Sequence, residues 1–248
     1  MKKVLTVPRQ AKLPSRKLWD AISAIAIILT VTILSLVTVM TYPYDSQSVN
    51  AGGFAIYKGE TEKQEAALMF NVYEGADNVN KILSILRKYS AKATFFIGGI
   101  WAEKNRETLL DILRDGHEIG SHGYLHKDHA KMSIEQNREE ILISVNLLKN
   151  LTGVTVNLFA PPSGSYGENT EKVCRALGLK MILWSKDTID WRDTDPALLI
   201  KRATKNISKG DMILMHPKEQ TVTALPSIIE AYLEKKFLLV SVSDLIAC

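Results

Sequence analysis

Cysteine is nearly absent from the chain: 248 residues hold two, Cys174 within a helical pattern and Cys248 at the end. Neither lies in a Cys-x-x-Cys or metal-type context, so their spacing requires no disulfide and supplies no cysteine metal site. Cys174 reads as a small, buried, apolar thiol. No Gly-x-Gly-x-x-Gly or P-loop pattern occurs either, so a nucleotide-binding fold would lack its phosphate cradle. A strong overall charge is missing as well. The formal charge is +4, and it comes from the first twenty residues, where Lys2, Lys3, Arg9, Lys12, Arg16 and Lys17 face only Asp20. That segment carries +5 and leaves the remainder near −1, which removes the main support for a nucleic-acid partner. With 46% hydrophobic and 23% charged residues, wholesale disorder and a polytopic membrane protein are both excluded.

The segment after Asp20 is uncharged throughout. Ala21 to Met40 reads AISAIAIILTVTILSLVTVM, with Ser and Thr hydroxyls as its only polar side chains. As a helix at about 1.5 Å per residue it would span roughly 30 Å, the depth of a bilayer core. Ser and Thr can return their hydroxyls to helix carbonyls and so do not break the span. A cleaved signal peptide fits less well, because its apolar region is usually about 7–15 residues and no small-x-small site closely follows. The reading is a cytoplasmic basic segment over 1–20, a transmembrane anchor over 21–42, an extracytoplasmic stalk over 43–64 and a domain over 65–248. Basic residues before the span and Tyr42, Pro43 and Tyr44 after it orient the chain N-terminus in, with the domain outside a single-pass cell membrane.

Beyond the stalk, which contains FAIY as a short strand candidate, apolar runs of strand length alternate with amphipathic helical patterns. AALMFNV, ATFFI, HEIGS, NLFA, KMILW, DMILM and FLLVSV give about seven strands. The helices between them are expected over 78–89, 103–115, 134–151, 171–177, 196–206 and 222–235. Near-continuous apolar runs, rather than strict alternation, indicate a parallel sheet covered by helices. The α/β pattern suits an open doubly wound sheet or a distorted (β/α) barrel. Polar residues at strand ends favour the barrel: Asn71 and Glu74, His122 and His126, Pro161 to Gly164, Asp187 and Asp190, and His216 each follow a different strand, where barrel enzymes assemble their sites.

His122 and His126 are four residues apart, a spacing that on a helical turn puts two imidazoles on one face and suits a divalent metal. Of their neighbours, His117 is expected to pack in its strand and His129 to be a solvated loop residue. His216, after an apolar strand, would become a general acid if paired with a carboxylate such as Asp190. Trp191 would then supply an aromatic wall.

Taken in order, SHGYLH, FAPPSGSY, DTIDW and ILMHP resemble the polysaccharide deacetylases, the NodB-homology group of carbohydrate esterase family 4, and most of all its sporulation-associated, membrane-anchored branch. The resemblance runs from about Glu65 to Leu245. It implies a distorted barrel that uses one divalent metal (Zn, Co, Ni or Mn) to hydrolyse acetyl groups from cell-wall or chitin-like N-acetylglucosamine glycans. By that resemblance His122 and His126 hold the metal, and the amide near Ser163 helps bind the oxyanion. Asp190 tunes His216, which protonates the leaving amine; Trp191 lines the groove and Leu214 the acetyl pocket.

Two departures cut across this. The family's TFDDG, which carries the base and a metal-ligand Asp, is MFNVYEG here. Aligned from Phe70, the two positions are Asn71 and Val72; aligned back from Gly75, they are Tyr73 and Glu74. Asn is no general base at neutral pH, and Val cannot bind metal. The family's Arg, which pairs with that base, is Ala160. Losing one partner of a buried pair costs about 3–5 kcal/mol, whereas losing both leaves a self-consistent neutral variant. Two readings result. One is a metal-dependent deacetylase in which Glu74 serves as third ligand or base and Asp187 as another base. The other is a glycan-binding or scaffolding module on the same barrel.

Overall fold

The computed structural model describes Ile25, residues 27–30, Thr32 and residues 53–247. The chain divides into two units, Met1–Asn50 and Ala51–Cys248. In the first, the described residues are helical and exposed, and the Thr32 hydroxyl donates to the Ile28 carbonyl at 2.6 Å, as expected of a threonine that leaves a helix intact. The rest of the anchor expected over 21–42 lies outside the described residues. Among the described residues, no helix is long and apolar enough to cross a membrane.

The second unit is built on one all-parallel sheet. Its strands are β1 (Ala55–Ile56), β2 (Glu65–Val72), β3 (Ala93–Ile97), β4 (Glu118–Ser121), β5 (Leu158–Phe159), β6 (Lys180–Ile182), β7 (Lys186–Asp187), β8 (Met212–Met215) and β9 (Leu238–Leu239). They pair in the order β1-β6-β5-β4-β3-β2-β8-β7, with β9 added to the start of β2. Only residues 183–185 separate β6 from β7, yet the two lie six strand spacings apart along that path. A flat sheet would put them about 28 Å apart, whereas this stretch of chain reaches about 14 Å. The sheet must therefore curl until its ends approach, giving a distorted, open α/β barrel.

Around it lie α1 (Ala76–Tyr89), α2 (Gly99–Lys104), α3 (Arg106–Arg114), α4 (Ile134–Thr152), α5 (Glu168–Leu177), α6 (Pro196–Thr204), α7 (Glu219–Glu234) and α8 (Val242–Leu245). Every residue of β2 is buried, because its alternate side chains serve two apolar layers. Ala66, Leu68, Phe70 and Val72 join the layer under the helices, while Ala67 and Met69 join the barrel interior, which α8 closes with Val242 and Leu245.

All seven expected strands are present, and the differences have local causes. FAIY pairs with β6, so residues 55–56 of the expected stalk belong to the sheet. Lys186–Asp187 adds a strand too short and too polar to show periodicity. FLLVSV is strand only at Leu238–Leu239, because Ser241 caps α8 by accepting from the Asp244 amide. The helix expected over 103–115 is two helices that break at Asn105.

Candidate active site

The C-terminal ends of β2, β4 and β8 bring His122, His126, Tyr73 and His216 together. Alternation along β2 puts Asn71 on the face of Ala67 and Met69, and carried one step past the strand it aims Tyr73 the same way. The following loop is seated by Gly75, whose φ of 73° is left-handed; a Cβ there would come within 2.5 Å of the Pro217 carbonyl, next to His216. Tyr73 thereby lies among three imidazoles, with ring centroids 4.2 Å from His126 and 6.2 Å from both His122 and His216. His122 and His126 are themselves 5.1 Å apart.

Those two histidines meet through a loop and not on a helical turn, since the chain from 122 to 128 is irregular and His126 has a left-handed φ of 56°. Supporting it is α4, which starts with a Ser133–Gln136 capping box and buries Asn137, Glu140 and Ser144 on its inner face. Glu140 accepts the Leu125 amide, and Ser144 bonds Ser121 at 2.9 Å. His129, expected in solvent, is fully buried instead: Asn137 donates to three backbone carbonyls, and its amide oxygen receives the His129 Nδ1 proton at 2.7 Å.

His122 is buried too, and its Nδ1 bonds the Ala160 carbonyl at 2.8 Å. A carbonyl only accepts, so Nδ1 carries the proton and Nε2 presents a lone pair; that atom is buried with no partner. Burial, reinforced by the neighbouring His126, holds the His122 pKa well below the usual histidine range. His126 is lowered as well, chiefly by burial, and burial together with Glu74 raises the Tyr73 phenol. These shifts favour the uncharged forms of His122, His126 and Tyr73.

On the other side, the Asp190 carboxylate is fully buried. It accepts the His216 amide at 2.6 Å, His216 Nδ1 at 2.7 Å and the Thr221 hydroxyl at 2.6 Å. Gln220 donates to the Asp190 carbonyl, so α7 grips the whole turn. The expected pairing of Asp190 with His216 is present in the structure. Leu214 is buried on β8 between Ile213 and Met215, which face the helix layer, so its own side chain faces the barrel interior. Trp191 is 49% exposed with Arg192 5.8 Å from its ring, and Ser163 is exposed in a left-handed turn with φ 56°.

Two further candidates, Glu74 and Asp187, have partners of their own. Glu74 is exposed and its carboxylate is taken by Lys218, because alternation turns it away from Tyr73 and toward the β8–α7 loop. Asp187 is half-buried and caps its own turn by accepting the Ile189 amide at 2.7 Å.

The donors fit a divalent metal only in part. His122 Nε2 has the correct lone pair and His126 is adjacent, but Val72 is fully buried in the outer apolar layer and Asn71 is an amide whose buried Oδ1 has no partner. Among the described residues, no three His, Cys, Asp or Glu side chains come together to hold a metal ion. Two imidazoles without a carboxylate do not make the complete site that the resemblance implied. Pattern reading missed Tyr73 as the group filling this centre, although alternation from Ala67, Met69 and Asn71 carries the signal. It also missed Glu140 and Thr221; polar residues 137, 140 and 144 on the buried face of an amphipathic helix are the available clue to the former.

The polysaccharide deacetylase family model matches residues 58–182. YlxY of Bacillus subtilis is 36% identical over 190 residues, covering 77% of this chain and 60% of that protein. A peptidoglycan-N-acetylglucosamine deacetylase of Bacillus cereus is 32% identical over 178 residues, 70% of this chain and 65% of its own. The chain therefore spans just under two thirds of the length of these two relatives. Among solved structures, a family 4 carbohydrate esterase pseudoenzyme from Bacillus anthracis aligns with a TM-score of 0.75 at 32% identity, over 77% of this chain and 68% of that one. A mutant of that pseudoenzyme with restored enzymatic activity aligns at 0.74 and 30%, over 77% and 70%. The chain belongs to the polysaccharide deacetylase family.

Proposed function

We propose that the protein binds acetylated cell-wall polysaccharide in the cleft at the strand ends and does not turn it over. One observation carries this reading: the inward positions facing the histidines are Asn71 and Tyr73, so neither a carboxylate base nor a third anionic ligand is available. Trp191 and Tyr73 offer apolar ring surface for sugar, and Ser163 and His126 offer hydrogen bonds. The names of the relatives support peptidoglycan as the ligand class, and the similarity to a pseudoenzyme supports binding without hydrolysis. The uncharged run of 21–40 supports a single-pass anchor with the N-terminus in the cytoplasm and the domain outside.

The intact Asp190–His216 pair and the preset His122 lone pair favour a second reading, a surviving metal-assisted deacetylase. Acetate release from chitin oligomers and peptidoglycan fragments, measured with Zn, Co, Ni or Mn added, separates the two. Sedimentation with insoluble peptidoglycan together with no acetate above a His216→Ala blank supports the binding reading. Metal-dependent acetate release abolished by His216→Ala overturns it.

A further inference from the structure

At the other end of the barrel, where the strands begin, a shallow, solvent-open depression of about 670 Å³ is lined by Lys58 and Gln64 before β2, Ser208 and Lys209 before β8, and Lys235 before β9. Ile207 and Phe237 form its apolar side, the first packed against the core and the second buried within it. Three lysines from three separate loops thus line one depression. Lys58 Nζ donates to Ser208 Oγ at 2.9 Å, which ties two of those loops together. Lys209 lies 3.3 Å from Glu62, whose side chain is fully exposed. The nearby Asp211 carboxylate is committed elsewhere, accepting the Ser208 amide at 2.8 Å and the Ser208 hydroxyl at 2.9 Å and pairing with Lys186 at 3.5 Å. The rim therefore keeps a positive excess, on a chain whose sequence after residue 20 is near −1 overall.

We propose that this depression binds an organic phosphate, with the phosphate among Lys58, Lys209 and Lys235 and the polyol or sugar carbons against Ile207 and Phe237. Lysine ammoniums are compact point charges that suit phosphate oxygens, and Gln64 and Ser208 add neutral donors. The site is remote from the histidine cleft, because it lies at the opposite ends of the same strands, and so it does not depend on the function proposed for that cleft.

The test uses the full chain in uncharged detergent with glycerol 3-phosphate as probe and glycerol as the control. Binding is read by calorimetry and by hydrogen-exchange protection of residues 57–64, 205–211 and 235–237. A second arm replaces the soluble probe with phosphatidylglycerol in mixed micelles, against phosphatidylcholine. Protection by glycerol 3-phosphate identifies a free phosphate ester as sufficient; protection by phosphatidylglycerol alone identifies a lipid headgroup. Lys209→Gln with Lys235→Gln, both at exposed positions, should weaken binding at least about tenfold and flatten its dependence on salt. No protection in either arm, or unchanged binding by the double variant, overturns the proposal.

Discussion

Replacing Tyr73 with aspartate tests whether this side chain, rather than its strand neighbour, decides metal capture. Tyr73 lies on the histidine side of β2 with its ring 4.2 Å from His126, while Val72 is fully buried under the helices. Structural zinc sites with four ligands gain about 10–16 kcal/mol, or about 3 kcal/mol per ligand. A third, anionic donor beside His122 and His126 should therefore tighten binding by about 100-fold, since each 1.4 kcal/mol is tenfold. Calorimetric titration of wild type and Tyr73→Asp with Zn, Co, Ni and Mn measures the change, and the visible absorption of bound Co reports the ligand geometry. Tyr73→Ala separates removal of the ring from provision of a ligand; it should gain less than the aspartate variant. Val72→Asp should gain no affinity and should lose stability, because its carboxylate would enter an apolar layer without a partner. If Val72→Asp binds metal and Tyr73→Asp does not, the side-chain alternation assigned to β2 is wrong. Equal affinity for wild type and Tyr73→Asp refutes the claim that a missing third donor limits the site.

Asp190→Ala would strand the His216 amide, its Nδ1 proton and the Thr221 hydroxyl, and should cost about 3–5 kcal/mol in urea unfolding. Asp190→Asn, which keeps one acceptor, should cost less. Burial pushes His117 down to about 4 in the folded chain, against an ordinary value near 6.5. The unfolded state therefore binds more protons between these values. Its contribution to stability is full above about pH 6.5 and lost as pH falls toward 4; His117→Phe, beside Phe95, should flatten that part of the urea-midpoint profile against pH. Asn71→Asp alone should lower the urea midpoint, because position 71 is 2% exposed and no cation has been restored at Ala160.

Much of the fold was legible because its parallel strands are apolar on both faces and are bounded by amphipathic helices, so AALMFNV and ATFFI stand out at any register. What escaped reading was short or set by tertiary contacts. Lys186–Asp187 pairs with β8 through two residues that carry no periodicity. FLLVSV has strand composition throughout, but the Ser241 cap turns its second half into α8. His129 sits among polar neighbours in sequence, and its burial comes from Asn137 on α4, whose three donated bonds fix the loop and leave one acceptor for the imidazole. The site divides in the same way. Asp190 and His216 were paired correctly, since each ends a strand on neighbouring elements. His122 and His126 do lie 5.1 Å apart, but through a loop and not on the helical turn that their spacing suggested.

The changes at the centre are mutually consistent in electrostatic terms. Asn71 and Ala160 remove a buried anion together with its cation, and the Ala160 carbonyl accepts a hydrogen bond from His122 Nδ1, which fixes the tautomer of that imidazole, while burial keeps it neutral. Depressed histidine pKa values then follow chiefly from burial, which outweighs the opposing pull of Glu74 on His126. Glu74, the remaining acid on this loop, is neutralised at the rim by Lys218, so the loop brings no net charge to the cleft. The buried carboxylate that persists, Asp190, is the one with backbone, hydroxyl and imidazole donors in place. At positions 71 and 160 a centre arranged in this way has little to gain from a single reversion. An aspartate at 71 would lack its cation, and an arginine at 160 would lack its anion and crowd the barrel interior, where Ala160 packs with Phe96 and Ile182. Each half of the pair is unfavourable without the other, so the neutral centre is a stable state of this fold that no one substitution at these two positions undoes.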